Sequence, residues 1–298
     1  MQDVVIIGGG PAGLQSAIFT ASEGLKTTLF EGNHLGGQIH DTPKLENYAG
    51  QSSKGISGPE FTATMKSQCD AFGVKFVKKN VTTCQRQSDG TWIVNGVKAR
   101  SVILASGYRY RIPECSDIQK YLASGQAFIG PFRCMSVKKG LTYCVVGGGN
   151  SAGQAIMSLS EHAQRVIVLT RSNVGMSQYL VDRIMGQSNI EIETDILPVR
   201  MTAGNMECDN GLQYPADHYF FCIGGIPNSE MVEGQVKKDE TGHVIVNEQL
   251  EAAPGLFAVG DVRKGIRRHS VAASIGDAAA ATAYVHAYLR SDKAPRVS

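Results

Sequence analysis

Short apolar runs that end at glycine-rich turns divide the chain, and segments with apolar residues at helical spacing follow them. Residues 4–7 (VVII) and 144–146 (CVV) are two such runs, and neither alternates with polar residues. That pattern is typical of a strand buried on both faces of a parallel sheet. Residues 270–289 (SVAASIGDAAAATAYVHAYL) have the small, apolar-rich pattern of a buried helix. Together these patterns predict an α/β protein.

One internal repeat organises these elements, since two segments each predict the order strand, glycine loop, helix and strand. In the first copy Gly8 permits the tight turn, Gly10 lets a pyrophosphate approach the backbone, and Gly13 lets the helix pack closely on the strand. Glu31 ends the second strand, 23 residues after Gly8, where its carboxylate can accept hydrogen bonds from an adenosine ribose. The first copy therefore predicts a site for an adenine dinucleotide.

The second copy keeps the loop but changes the strand after it. Gly147, Gly149 and Ala152 form the G-x-G-x-x-A version of the motif. The following strand ends in VLTRSN, which has no acid to hold a ribose diol. Arg171 is the one base at that strand end that could meet a 2′-phosphate, so the sequence predicts a second nucleotide site of uncommitted specificity.

Composition narrows the function classes. The 298 residues are enough for about two domains, and a net charge of +2 is too small to predict a nucleic-acid surface. No apolar run reaches the roughly 18 residues of a membrane span, and the chain opens on MQDVVIIGGG, so we expect a cytoplasmic protein without a membrane partner. The seven cysteines include no C-x-x-C pair, which predicts free thiols and no metal site.

Further motifs occur in a characteristic order. They are LGGQ at 35–38, LENYAG at 45–50, VILASGYRYRIP at 102–113 and GLFAVGDVRKGIRRHSVAASIGDAAAA at 255–281. With these motifs the chain resembles the low-molecular-weight thioredoxin reductase family from residue 1 to about residue 292.

The resemblance implies an α/β fold of two Rossmann-like dinucleotide-binding domains. The FAD-binding domain would comprise residues 1–112 and 245–298, with an NAD(P)-type domain at 113–244 inserted in it. The residues that match the family's FAD contacts are Gly8, Gly10, Pro11, Ala12, Gly13, Glu31, Gly37, Gln38, Asn47, Val81, Ala105, Ser106, Gly107, Gly260, Asp261, Arg268, His269 and Ser270. Those that match the second nucleotide site are Gly147, Gly149, Asn150, Ser151, Ala152 and Arg171.

The chain departs from the family at the redox-active thiols. The family has a C-x-x-C pair just before its second glycine loop; here Cys134 falls near the second cysteine, and Gly130 and Pro131 stand where its partner should be. Without a neighbouring thiol, Cys134 cannot form the family's local disulfide. A redox role for Cys134, alone or with the distant Cys115, stays open beside simple packing, which is the common state of a free cysteine.

The electron donor is the second departure. The family's basic cluster for the NADPH phosphate is reduced to Arg171, with Arg183 further along the chain. The second site could therefore hold NAD(P)H or another nucleotide, including a second flavin nucleotide. A protein donor such as ferredoxin is a further alternative, because five basic residues flank the predicted flavin loops and could form a docking face. These are Arg109, Arg111, Arg263, Lys264 and Arg267.

These observations predict an FAD-dependent, thioredoxin reductase-like oxidoreductase, and the family resemblance implies a homodimer. It would act on a disulfide or another small acceptor, either a small molecule or a protein, and use an atypical donor. His269 is a candidate for proton transfer beside the flavin, and Cys134 for thiol chemistry. The alternative is a flavin-binding sensor or regulatory protein without NAD(P)H turnover.

Overall fold

The computed structural model describes residues 1–42, 44–131, 138–265, 270–291 and 293–295. The chain divides into two compact units. Residues 1–109 and 226–298 form the first, here called the split unit, and residues 110–225 form the inserted unit.

Strands and helices alternate around the two glycine loops, and runs of consecutive strands follow. In chain order they are β1 (Gln2–Ile7), α1 (Pro11–Ser22), β2 (Thr27–Glu31), α2 (Gly58–Ala71), β3 (Lys75–Lys78), β4 (Cys84–Arg86), β5 (Trp92–Val94), β6 (Val97–Leu104), β7 (Tyr108–Tyr110), α3 (Ile118–Ala123), β8 (Ala127–Ile129), β9 (Thr142–Val146), α4 (Asn150–Ser160), β10 (Arg165–Leu169), α5 (Gln178–Met185), β11 (Ile190–Glu193), β12 (Pro198–Thr202), β13 (Asn205–Cys208), β14 (Gln213–Pro215), β15 (His218–Phe221), β16 (Gly225–Pro227), β17 (Glu251–Ala253), β18 (Leu256–Ala258) and α6 (Val271–Arg290).

The main sheet of the split unit runs in the order β17-β18-β6-β1-β2-β3. From β18 to β3 the neighbouring strands are parallel, while β17 and the β4–β5 pair are antiparallel additions. Val4 and Ile6 belong to the core beneath the helices, whereas Val5 and Ile7 belong to the core on the opposite face. Because both faces are covered, β1 needs no polar alternation, as its sequence predicted.

The inserted unit repeats this architecture with the parallel order β11-β10-β9-β15-β8. Tyr143 and Val145 on β9 pack in the core that includes residues of α4. Cys144 and Val146 face the other core, which also contains residues of the antiparallel sheet β12-β13-β14. The mixed α/β fold with two nucleotide-binding units, predicted from the repeat, is confirmed.

The unit boundaries differ from the positions expected near 113 and 244. The chain crosses between units at 109/110 and again at 225/226. Residues 226–244 belong to the split unit because Val232 and Val244 are completely buried in its core, and the Val244 amide donates to the Val262 carbonyl at 3.0 Å. No sequence motif marks this segment, so only its packing assigns it.

The predicted helix at 270–289 is present as α6. Ser270 is its N-cap, since its hydroxyl accepts a hydrogen bond from the Ala273 amide at 3.3 Å. Within the described residues, no helix is both long enough and apolar enough to cross a bilayer.

Candidate functional site: two glycine loops

The first glycine loop connects β1 to α1. Gly8 has φ +105°, and a Cβ there would lie 2.4 Å from the Ala105 carbonyl oxygen. A Cβ on Gly13 would lie only 1.8 Å from the Gly8 carbonyl oxygen, so the helix packs against the loop backbone. By contrast, nothing lies within 4 Å of the Cβ position of Gly10. Gly10 is the N-cap of α1, and the loop therefore leaves open space beside amides that favour an anion.

Glu31 closes one side of this loop. Its carboxylate accepts a hydrogen bond from the Gly9 amide at 2.6 Å and another from the Asn33 amide at 2.8 Å. The side chain is half-buried at the end of β2. Two backbone bonds hold the carboxylate at the loop, and a carboxylate has further lone-pair sites for a ribose diol.

Other predicted FAD residues lie around the same loop. Gly37 begins a short 3₁₀ helix, and its Cβ position lies 3.3 Å from the Gly10 Cα. Gln38 donates to the Tyr108 carbonyl at 2.8 Å, which ties that helix to the chain after β6. Ala105 is buried, and the following Gly107 adopts φ +62°.

Asn228 holds the predicted FAD segment at Ser106 and Gly107 in place, although the sequence does not indicate this role. Its side chain donates to the Ser106 carbonyl at 2.9 Å, and its own carbonyl accepts from the Ser106 hydroxyl at 2.5 Å. Its amide also donates to the Gly107 carbonyl at 2.9 Å. No glycine or charge pattern marks this position, because its role arises from a contact across more than a hundred residues of sequence.

The last predicted segment begins at the short 3₁₀ turn Gly260–Val262. A Cβ on Gly260 would lie 3.2 Å from the Ala12 Cβ and 3.3 Å from the Ser274 hydroxyl. Gly260 therefore lies between the start of α1 and α6, and it brings the half-buried Asp261 to the same edge as the glycine loop. Arg268 and His269, the latter a candidate for proton transfer, lie outside the described residues.

Val81 and Asn47 lie on the two remaining segments predicted to contact FAD. Val81 is half-buried after β3, and the preceding Asn80 packs on Gly32 so closely that a Cβ there would meet its amide oxygen at 1.6 Å. This contact holds the Val81 segment at the end of β2. Asn47 is exposed, just after the bridge between Leu45 and Ile56.

These residues fit FAD. The Cβ position of Gly10 is open, at the N-cap of α1, whose first amides could donate hydrogen bonds to a pyrophosphate. The Glu31 carboxylate stands where a ribose acceptor is needed. The individual contacts stay predictions.

The second glycine loop, between β9 and α4, has nearly the same geometry. Gly147 has φ +134°, and a Cβ there would lie 2.3 Å from the Cys222 carbonyl oxygen. Nothing lies within 4 Å of the Cβ position of Gly149, the N-cap of α4. Ala152 is completely buried in the first turns of α4, as the third position of the motif should be. The loop thus offers the same open anion site as the first.

Two polar residues begin α4 at this loop. The Asn150 side-chain oxygen accepts a hydrogen bond from the Ser177 amide at 2.7 Å. Ser151 is half-buried beside it. Asn150 therefore ties the loop after β10 to the start of α4.

The internal repeat extends further than the sequence indicated. The Gly175 amide donates to the Gly148 carbonyl at 2.9 Å, and the Gly36 amide donates to the Gly9 carbonyl at 2.8 Å. In both units the segment after the second strand thus folds back onto the middle residue of the glycine loop.

Thr170 occupies the place that Glu31 has in the first copy. It follows β10 by one residue and stands 23 residues after Gly147, the spacing that separates Glu31 from Gly8. Its hydroxyl donates to the Ser172 carbonyl, and the side chain is buried. The exposed Arg171 comes next. Counting from the first glycine would have identified Thr170 from the sequence.

Arg183 does not extend this basic position in the structure. Its guanidinium donates to the Tyr179 hydroxyl at 3.0 Å and lies 5.5 Å from the centre of the Tyr179 ring. Both groups are exposed on α5. Arg171 therefore stands as the base that directly follows the acid position.

Cys134 lies outside the described residues, so its pairing with Cys115 stays a prediction. The six described cysteines are all buried. Burial is the main cause that raises the pKa of the Cys115 thiol to about 11, and Asp117 adds to the shift. Burial likewise raises the pKa of Cys84 to about 12. Such thiols are poor nucleophiles near neutral pH, because the thiolate is the reactive form.

The predicted basic face is partly neutralised. Arg109 forms an ion pair with Glu230 at 2.5 Å, and Arg263 pairs with Asp277 at 2.6 Å. Arg111 and Lys264 are exposed, while Arg267 lies outside the described residues. In the described parts of the chain no group of three or more His, Cys, Asp or Glu side chains is arranged to hold a metal ion.

Comparison with known proteins agrees with this geometry. A family model described as pyridine nucleotide-disulphide oxidoreductase matches residues 2–276. A thioredoxin reductase of Peptoclostridium acidaminophilum is 31% identical over 307 residues, covering 94% of this chain and 95% of that protein. The NADPH-dependent thioredoxin reductase 3 of Arabidopsis thaliana is 30% identical over 316 residues and covers 98% of this chain, but the chain spans only 59% of the plant protein.

A solved structure shows the same fold over nearly the whole chain. The thioredoxin reductase of Lactococcus lactis, crystallised in what is called its FR conformation, superposes with a TM-score of 0.88 at 27% identity. The match covers 97% of this chain and 99% of the bacterial chain.

Proposed function

The chain belongs to the pyridine nucleotide-disulphide oxidoreductase family, and we propose that it is an FAD-dependent oxidoreductase that takes electrons from NADPH. We propose further that it passes them to a disulfide or another small acceptor. Family membership makes it a thioredoxin reductase-like flavoenzyme. The identity of the donor and the acceptor is the part that is proposed.

The chain's own residues supply binding and orientation in this proposal. When bound, FAD supplies the two-electron exchange. The amides at the start of α1 hold its pyrophosphate, and Glu31 holds the ribose while fixed by Gly9 and Asn33. Ser270 caps α6, whose N-terminal dipole favours negative charge near it.

The pair Thr170 and Arg171 carries the choice of NADPH. A carboxylate at position 170 would accept hydrogen bonds from the ribose diol of NADH and repel the phosphate of NADPH. Thr170 is neutral, and its hydroxyl is already used by the Ser172 carbonyl. Arg171 adds an exposed cation beside it. One hydrogen bond to a charged group contributes about 1.5–3 kcal/mol, which corresponds to a preference of about one to two decades for NADPH.

The missing thiol pair limits how an electron acceptor can react with this protein. Gly130 and Pro131 leave Cys134 without the neighbouring thiol of the family motif, so a disulfide substrate would react without the family's local dithiol. The thioredoxin reductases among the relatives support a thioredoxin-like protein or a smaller disulfide as substrate and a homodimeric assembly. Ferredoxin as donor has less support, because Arg109 and Arg263 already have carboxylate partners.

An anaerobic titration tests the donor. We expect NADPH to bleach the flavin at a concentration about ten- to a hundredfold lower than NADH does, with dithionite as the positive control. Arg171→Ala should remove most of this preference, because it should weaken the binding of NADPH and leave the binding of NADH unchanged. Arg165→Ala is the matched control, since Arg165 lies at the opposite end of β10 and pairs with Glu191. Bleaching by dithionite alone would reject the proposal and favour a flavin-binding sensor.

A further inference from the structure

One carboxylate joins α6 to the turn after β18. Asp277 accepts a hydrogen bond from the Gly260 amide at 3.0 Å. It also accepts two from Arg263, from Nε at 2.7 Å and from Nη2 at 2.6 Å. Arg263 in turn donates through Nη1 to the Lys264 carbonyl at 3.0 Å. We call Arg263 and Asp277 the clamp.

The clamp is more protected from solvent than the two-point pair of Arg165 and Glu191 on the surface. The side chains of Arg263 and Asp277 are 23% and 17% exposed, against 44% and 53% for Arg165 and Glu191, which also form a two-point pair. Reduced exposure strengthens the interaction and raises the cost of losing one partner. The Gly260 amide bond gives the clamp a third attachment that the surface pair lacks.

The clamp holds a residue that lies beside the first glycine loop. Gly260 has φ +69°, a conformation that favours glycine, and its Cα faces Ala12 at the start of α1. Ser274, about one helical turn before Asp277 on α6, lies 3.3 Å from the Cβ position of Gly260. Because Asp261 is the next residue, the direction of the Gly260 amide determines where the Asp261 side chain begins.

We propose that the clamp is a positioning element of the FAD site with two separable effects. Asp277 fixes the Gly260 amide and thereby the position of Asp261, which sets how tightly FAD is held. Arg263 cancels the charge of the Asp277 carboxylate beside a cofactor that gains negative charge when it is reduced. The balance between the two charges therefore sets the midpoint potential of the flavin, because a nearby cation stabilises an anion and a nearby carboxylate destabilises it.

The proposal rests on FAD binding by the split unit and is independent of the donor and the acceptor. Three variants separate the two effects. Asp277→Asn removes the negative charge, Arg263→Gln removes the positive charge, and the double variant removes both. Glu191→Gln, which breaks the exposed pair in the inserted unit, is the matched control.

Two measurements are made on each variant with dithionite as reductant, so neither needs NADPH or a disulfide. The first is the FAD dissociation constant of the apoprotein, from the change in flavin fluorescence on binding. The second is the midpoint potential, from equilibration with reference dyes. Circular dichroism of each apoprotein checks that it is folded.

We expect Asp277→Asn to weaken FAD binding about tenfold or more, since a charged acceptor of three hydrogen bonds is lost. The midpoint potential should rise in Asp277→Asn, fall in Arg263→Gln, and return close to the parent value in the double variant. Glu191→Gln should change neither quantity. Conservative Asp277→Glu should retain the parent potential, because the charge remains.

Parent-like FAD affinity in Asp277→Asn would overturn the positioning effect. Potentials that shift in the same direction in both single variants would overturn the charge effect and leave the clamp as a tether between α6 and the turn. If Asp277→Asn does not fold, Arg263→Gln and Asp277→Glu decide the charge effect, because Arg263→Gln must lower the potential and Asp277→Glu must not. Failure of NADPH reduction alone contradicts only the proposed donor.

Discussion

Replacing Gly10 by alanine should separate FAD binding from folding. Gly10 has φ −72° and ψ −176°, which alanine adopts without strain, and nothing lies within 4 Å of the new Cβ. Alanine is a poorer N-cap than glycine, but it also reduces the entropy of the unfolded chain. We therefore expect the free energy of unfolding of the apoprotein to change by about 1 kcal/mol or less.

The same Cβ occupies the space through which a pyrophosphate must approach the loop. Inserting a methyl group into a tightly fitted contact costs about 1–3 kcal/mol, so FAD binding should weaken by about 5- to 150-fold. Gly13→Ala acts differently, because its Cβ would lie 1.8 Å from the Gly8 carbonyl oxygen and both groups belong to packed backbone. That variant should lose stability and FAD affinity together.

The assay pairs thermal unfolding of the apoprotein with a fluorescence titration of FAD. Gly149→Ala provides the internal comparison, since its Cβ position is equally open in the second loop. Gly149→Ala should weaken the binding of NADPH and leave FAD binding unchanged. Gly186→Ala is the control, because its new Cβ would make only ordinary contacts at 3.6 Å. Parent-like FAD affinity in Gly10→Ala would refute the argument that the pyrophosphate lies at this face of the loop.

Three further predictions concern the acid of the first loop and the buried thiols. Glu31→Ala should weaken FAD binding about tenfold or more, because both the ribose and the amides of Gly9 and Asn33 would lose the carboxylate that accepts their hydrogen bonds. Unchanged FAD affinity in a fluorescence titration would contradict the assignment. In the folded protein at pH 8 the six described cysteines should react slowly with a thiol reagent, which peptide mass mapping can follow, and rapid labelling of Cys115 would contradict the described burial. The free energy of unfolding should fall as pH rises from 9 toward 12, because Cys84 keeps its proton when folded and loses it when unfolded. Relative to Cys84→Ala the parent should lose about 1.4 kcal/mol more per pH unit in that range, measured by denaturant unfolding, and equal slopes would refute the shift.

Asn228 and Thr170 show two different reasons why parts of the candidate sites were not predicted from the sequence. Asn228 contributes through bonds to Ser106 and Gly107, which depend on a long-range approach of two segments. The position of Thr170 can be found by counting residues from Gly147. Only the structure shows that the segment after β10 donates a hydrogen bond to the second glycine loop, as the segment after β2 does to the first. The clamp of Arg263 and Asp277 could not be predicted from the sequence either, because it depends on the packing of α6 against the turn after β18.

The sequence by itself determined the α/β class, the two glycine loops and the helix predicted over 270–289. These features depend on local chemistry: apolar runs specify buried strands, and glycine is favoured where φ is positive or where a helix packs closely on a loop. The tertiary structure decided which unit holds residues 226–244, what surrounds each loop, and which charges are paired. Those properties arise from packing between residues distant in sequence, where burial and hydrogen-bond geometry select one arrangement among many with the same local pattern.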